Sequence, residues 1–298
     1  MDGFIVVDKP AGLSSHAVVG RVRRLTGEKK GGHTGTLDPF ATGVLPVALG
    51  EATKSIQFLD ESIKGYRAVL RLGCSTDTQD CTGAVLQEGT WQHLTGHDIE
   101  AVVREFTGHL LQTPPMFSAL KRNGVPLYRL ARKGVEVERA PREIEIFSLA
   151  IDRIDLPLVT ISVSCSRGTY VRTLAHDIGQ RLGCGAHLTE LRRTRSGPFS
   201  LEAAVTLDLL EKMADQGRLD EFVMTIGTAL DHIPQCCLTE SAAVRLSHGI
   251  APVREGLLSA CPDSAGTSLR LVSGSRLLAI AETTSSAAGT LRLLRVFN

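Results

Sequence analysis

Apolar and polar positions recur with clear periods along most of this chain. FIVVDKP at 4–10 is a short apolar run closed by a proline, which predicts a buried strand. SSHAVVGRVRRLTG follows with Val18, Val19, Val22 and Leu25 at helical spacing, with Ser14 or Ser15 as cap and Gly27 as stop. YRAVLRL at 66–72 alternates through Tyr66, Ala68, Leu70 and Leu72, and VTISVSCS at 159–166 through Val159, Ile161, Val163 and Cys165, so both predict strands. RGTYVRTLAHDIGQRLG then changes period. Val171, Leu174, Ala175, Ile178 and Leu182 form a helical stripe ended by Gly183, which puts Tyr170 and Arg172 at a strand-to-helix junction, where side chains often face a cleft.

Two regions break this regularity. Between Pro114 and Pro141 the chain makes a basic excursion carrying Lys121, Arg122, Arg129, Arg132, Lys133 and Arg139. From about residue 235 a short helix, TESAAVRLSHG, precedes the alternating runs LRLVSG, RLLAIAE and TLRLLRVF. These patterns predict a large domain over 1–232, with the excursion at about 114–141 inside it, a linker near 231–236, and a small β-rich domain over 235–298.

Composition sharpens the picture only in places. With 298 residues and 43% hydrophobic content the chain can bury a substantial core. A net charge of +1 means that a nucleic-acid partner must be met by local patches, such as Arg21, Arg23 and Arg24 with Lys29 and Lys30, rather than by a global field. Seven cysteines, an odd number without CxxC spacing, argue against a disulfide framework and a zinc site. The apolar run after Met1 is too short for a signal peptide, and no later segment reaches the length of a span, so a cytoplasmic protein without membrane contact is expected.

The chemistry concentrates in GGHTGTLDPFATGVLPVALGEATK at 31–54. Pro39 holds Asp38 extended, while Gly35 and Gly43 allow tight backbone on either side. A bare Asp-Pro is more often a turn initiator than a catalytic acid. His33 with Asp38 lacks a third metal ligand at useful spacing, no phosphate-binding glycine pattern is present, and neither a GxSxG elbow nor a paired Cys and His occurs. What remains is a carboxylate acting alone.

The residues of this stretch, with DKPAGLSSH before it and KGYRAVLRLGCSTDTQDCTG, QTPPMFSALKRNGVPLYRLARKG and CSRGTYVRTLAHDIGQRLGCGAHLTELRRTRSG after it, resemble the TruB-type tRNA pseudouridine synthases almost continuously over residues 3–200. The resemblance implies a mixed α/β (α+β) core with a central, largely antiparallel sheet, plus a small PUA-like C-terminal domain. It implies isomerisation of uridine to pseudouridine at position 55 in the T arm of tRNA, without cofactor or metal, on a flipped-out nucleotide. Asp38 is then the catalytic group, either as a nucleophile on the sugar or as a base giving a glycal; the first route parallels retaining glycosidases.

Arg172 matches the arginine that pairs with the aspartate and keeps it ionised. Tyr66 matches the tyrosine that stacks on the base and aids removal of the C5 proton. Tyr170, Leu191 and His33 match positions around the flipped nucleotide, and Lys9 with Pro10 matches a supporting pair with a phosphate contact. Taken singly, each of these residues is better explained by ordinary packing or, for Arg172, by an exposed position on a helix. The excursion fits a segment gripping the RNA arm, and Arg192, Arg193 and Arg195 are expected to add phosphate contacts. A monomer is the default expectation.

Three rivals remain. A guide-RNA-dependent enzyme of the dyskerin type would carry longer basic extensions than a chain beginning almost at its first strand. A non-catalytic tRNA-binding or folding protein would not need Asp38, Tyr66 and Arg172 intact. A glycoside hydrolase would need a second acid at a defined separation, for which Asp77, Asp80 and Asp177 are the candidates.

Overall fold

Seven residues, Gly3–Lys9 (β1), are buried almost throughout because the strand is covered on both faces. Ile5 and Val7 join one apolar cluster while Phe4 and Val6 join another, as the two-residue period of a strand requires. The computed structural model describes residues 1–253, 256–258, 264–285 and 290–297; Cys261, one of the seven cysteines, lies outside them.

The main sheet continues through Thr42–Leu49 (β2), Ile63–Leu72 (β3), Gly108–Gln112 (β4), Arg142–Asp155 (β5), Leu158–Ser166 (β6), Ala186–Ser196 (β7) and Val205–Thr206 (β8). Its order is β8-β1-β2-β7-β3-β6-β5-β4. The β1/β8 and β2/β7 pairs are parallel, and the others antiparallel. The sheet is thus mixed and largely antiparallel, as expected. At the β2/β7 junction Gly43 (φ 98°) sits so close to Arg193 that a Cβ would lie 2.2 Å from its carbonyl oxygen, so only glycine fits.

Helices Ser15–Thr26 (α1), Gly96–Arg104 (α2), Val171–Arg181 (α3) and Leu207–Asp215 (α4) lie against one face of this sheet. Val18, Val22, Ile99, Val103, Leu174, Ile178, Leu207 and Leu210 share a core there with Ile5, Leu45, Leu70 and Ile161. Ser14 caps α1 by accepting from the Ala17 N–H, and Gly27 ends it in the left-handed conformation. Ser15, the other candidate cap, is buried inside the helix face instead.

A second, smaller sheet holds Gln235–Cys237 (β9), Ser268–Ser273 (β10), Arg276–Glu282 (β11) and Arg292–Val296 (β12) in that order. Helix Glu240–Ser247 (α5) packs on it through Ala242 and Leu246. Ile280 and Phe297 from this sheet reach the apolar cluster of Phe4, Val6, Val44 and Phe199 on the back of the main sheet. Arg270 is buried in the connection, donating to the carbonyls of Ile233, Gly227 and Asp231 at 2.7, 2.7 and 3.3 Å and to the Asp231 carboxylate at 3.0 Å.

The basic excursion is folded. Lys121–Arg122 and Val125–Pro126 pair as a hairpin, turned by Asn123 and Gly124, both at positive φ as a two-residue turn of this kind demands. A short helix, Leu127–Ala131, follows and buries Leu127.

Candidate active site

The loop before β2 carries Asp38, and three groups distant in sequence hold it. Ser15 Oγ accepts from the Leu37 N–H at 2.8 Å and donates to the Leu37 carbonyl at 3.0 Å. Lys9 is fully buried, and its Nζ donates to the carbonyls of Leu13 (2.7 Å), Pro10 (2.9 Å) and Pro39 (3.1 Å). The Gly12 N–H donates to Pro39 O at 2.8 Å. Lys9, expected to support the site and to contact phosphate, has its three donors spent on carbonyls and no exposed surface, so it supports the loop from beneath and keeps no donor for phosphate. Burial pushes its pKa down to about 8, against the pull of Asp38.

Arg172, on the first turn of α3, is 4% exposed and uses its whole guanidinium. Nε meets Asp38 Oδ2 at 2.9 Å and Nη2 meets Oδ1 at 3.4 Å, a two-point grip that suits a planar cation. Nη1 donates to Thr78 O at 2.8 Å and lies 3.4 Å from Asp80 Oδ2, while Nη2 also donates to Phe117 O at 2.9 Å. One buried cation therefore joins two acids, the TDTQDCTG turn and the root of the excursion. Asp80 is itself satisfied: its Oδ1 accepts from Thr78 Oγ1 (2.8 Å), the Thr82 N–H (2.9 Å) and Thr82 Oγ1 (2.6 Å).

Asp38, Arg172, Tyr66, Tyr170, Leu191, Arg193, Lys64 and Ser118 line one cavity of about 280 Å³, at the small end of ligand sites. The Asp38 side chain is 34% exposed, yet crowding by protein raises its pKa above the usual carboxylate value. Arg172 and Lys9 oppose that rise and Asp80 adds to it. Tyr66, on β3 opposite Arg193 of β7, presents its ring to the same space. Burial raises its phenol pKa, so at neutral pH it is a protonated aromatic surface. Tyr170 is fixed by Gln112, whose amide donates to Tyr170 O at 3.1 Å and accepts from its N–H at 2.8 Å. Leu191 supplies an apolar wall, 7% exposed.

Two other sequence expectations are placed differently. His33 lies in a short strand paired with β2 and outside the residues lining this cavity; burial and the neighbouring Arg193 and His16 lower its pKa. Arg193, expected to meet phosphate, is 2% exposed and donates to Val44 O (2.7 Å) and Gly35 O (3.1 Å), bracing the loop and the strand junction. Arg192 pairs with Asp8 at 2.7 Å, and Arg195 is exposed.

Of the three acids considered as partners for Asp38, Asp80 alone approaches the group, and it faces Arg172 from outside the cavity lining. That disposition does not make an acid and base pair flanking a substrate bond. Among the described residues no cluster of three metal-ligating side chains occurs, and no helix is long and apolar enough to cross a membrane. Ser118 carries no sequence signal beyond an ordinary polar residue, while Ser15 reads only as a candidate cap and Asp80 only as a candidate second acid.

The family pattern described as TruB family pseudouridylate synthase (N terminal domain) matches residues 23–171, and that of the tRNA pseudouridylate synthase B C-terminal domain matches 172–231. A protein named tRNA pseudouridine synthase B from Geobacter sulfurreducens is 58% identical over 306 residues, covering 100% of both chains. One of the same name from Syntrophotalea carbinolica is 49% identical over 302 residues, covering 100% of this chain and 98% of the relative. Among solved structures, a chain of an archaeal box H/ACA sRNP Nop10-Cbf5 complex superposes with a TM-score of 0.74 at 28% identity, over 99% of this chain and 86% of that one. A chain of a Cbf5-Nop10-Gar1 complex does so with a TM-score of 0.75 at 29% identity, over 99% and 85%.

Proposed function

The chain belongs to the TruB family of pseudouridylate synthases, and from that premise we propose that it isomerises uridine to pseudouridine at position 55, in the T arm of tRNA. The reading takes it as a cytoplasmic monomer that needs no cofactor, with a catalytic domain over 1–232 and a PUA-like RNA-binding domain over 235–298. The observation that carries it is the carboxylate of Asp38, gripped at 2.9 Å by a buried Arg172 in a cavity that Tyr66 also lines.

In the isomerisation the bond from N1 to C1′ breaks, one from C5 to C1′ forms, and the proton on C5 is lost as N1 gains one. Atoms and charge balance within the nucleotide, so a single ionised carboxylate acting on the sugar suffices. Asp38 fills that part, as nucleophile at the anomeric carbon or as base toward a glycal. Arg172 keeps it ionised and aimed. Tyr66 stacks beneath the extruded base, Leu191 and Tyr170 wall it in, and the rim of the excursion meets the RNA backbone. Lys9 acts on the loop rather than on the substrate.

The identity of 58% over the whole chain to a relative named for tRNA favours this reading over guide-RNA dependence, whose complexes match at 28–29%. The test is tritium release from C5-labelled uridine in a T-arm transcript, wild type against Asp38→Ala, with a gel shift on the same RNA. Release by wild type alone, with binding by both, is expected. Binding by both without release by either moves the guide-dependent and purely RNA-binding readings to the front.

A further inference from the structure

We infer that Ser118 is a positioning residue for the target nucleotide: its hydroxyl donates a hydrogen bond to an acceptor oxygen of the uridine held over Tyr66. The inference rests on the isomerase reading above and adds to it a contact made by the excursion rather than by the sheet.

Ser118 lines the same cavity as Asp38, Tyr66, Tyr170 and Arg172. It is 4% exposed, and its Oγ has no hydrogen-bond partner. More than nine in ten buried polar groups in folded proteins are paired, so an orphan hydroxyl facing a ligand space needs a reason. The residue is held in place from three sides. Its N–H donates to Met116 O at 2.9 Å, its carbonyl accepts from the Tyr128 N–H at 3.0 Å, and the preceding carbonyl, Phe117 O, holds Arg172 at 2.9 Å. A donor fixed in advance and left unpaired until substrate arrives contributes to the bound complex without a reorganisation cost.

Polarity follows from the neighbour. The Tyr170 phenol lies close enough for Ser118 to favour its ionised form, although no hydrogen-bond geometry is met between them; burial outweighs this and keeps the phenol protonated. With the phenol offering no hydrogen-bond geometry to Ser118 Oγ, the serine's own proton is left for the cavity. Such a donor suits a carbonyl oxygen of uracil or the 2′-oxygen of the ribose. At the position of uracil O4, cytosine presents an amino group, which a donor rejects.

The experiment compares wild type with Ser118→Ala under single-turnover conditions. T-arm RNAs carry uridine, 4-thiouridine, 2-thiouridine or 2′-deoxyuridine at the target, and product is measured by nuclease digestion and chromatography. The first readout, pseudouridine formation by wild type on the parent RNA, tests the isomerase reading separately. With that secured, Ser118→Ala is expected to slow the parent RNA about tenfold, the worth of one hydrogen bond. It should melt at the same temperature or higher, because an orphan polar group has gone. One analogue that slows wild type should lose its penalty, relative to parent RNA, in the variant. Ser118→Cys, of similar size but a weak donor, should behave like the alanine variant and covers the case in which that one does not fold. A parent rate within twofold of wild type overturns the inference. So does a slower variant that keeps every analogue penalty in full.

Discussion

Replacing Ser15 by alanine removes one oxygen atom from a helix and introduces no clash, yet it should damage both the fold and the chemistry. In an exposed helix the change would be neutral or mildly favourable, since alanine is the better helix former by about 0.5 kcal/mol. Here the oxygen is the bracket for Leu37, accepting from its N–H at 2.8 Å and donating to its carbonyl at 3.0 Å. Leu37 is 4% exposed, so water cannot step in. Orphaning a buried backbone donor and acceptor costs about 1–3 kcal/mol each, and the expected loss of stability is about 2–4 kcal/mol. The adjacent residue is Asp38. A loop that shifts to find new partners carries that carboxylate with it, and a misplacement of about 1 Å is worth roughly 100-fold in rate. Urea unfolding gives the first quantity, and single-turnover isomerisation at saturating enzyme gives the second. A loss below about 0.5 kcal/mol together with a rate within twofold of wild type would refute the claim that this hydroxyl holds the loop.

Other expectations concern charge. Asp38→Asn should abolish isomerisation while keeping RNA affinity. The native state raises this carboxyl's pKa, so it binds the proton more tightly than the unfolded chain does, and the ionised form opposes folding above the folded pKa, a cost that fades as pH falls through it. The asparagine variant should therefore melt no lower than wild type at neutral pH; a drop of several degrees counts against the argument. For the same reason the acid limb of the rate profile should lie at higher pH than for an ordinary aspartate. Asp80→Asn removes a charge that raises the Asp38 pKa and should move that limb to lower pH, with a rate about tenfold lower because Arg172 loses an ionic partner; an unmoved limb speaks against the coupling. Exchanging the exposed Lys121, Arg129 and Lys133 for glutamine should weaken tRNA binding and flatten its salt slope by about 2–3. If these side chains only solubilise the surface, the slope will stay as it is.

The elements were legible where a period ran long enough. The strands around Tyr66 and Val163 and the helix after Tyr170 follow from the spacing of apolar residues, and the pairing of Arg172 with Asp38 from the resemblance. What could not be read is which polar side chains turn inward. Lys9 and Arg193 look like surface cations in the sequence, because nothing local says that carbonyls from residues 30 and 158 positions away will converge on them. Ser15 was indistinguishable from the cap beside it, since its partner Leu37 is 22 residues off. Asp80 reads as one acid in a polar turn until α3 brings Arg172 against it. The hairpin at Asn123–Gly124 has the Asn-Gly signature of a two-residue turn, but its flanking strands of two residues each are too short to show a strand period.

The seam between the two sheets bears on how a long, jointed ligand is sized. Ile280 and Phe297 share an apolar cluster with Phe4 and Phe199, and Arg270 ties four acceptors of the connecting segment. A flexible tether would let the small domain move by itself, whereas a greased and bolted joint turns the pair into a caliper with fixed jaws. An RNA held at both ends would then be gauged by the span between its contact points. Base substitutions within that span would pass, while inserting a single base pair would rotate and lengthen the arm beyond what the jaws accept.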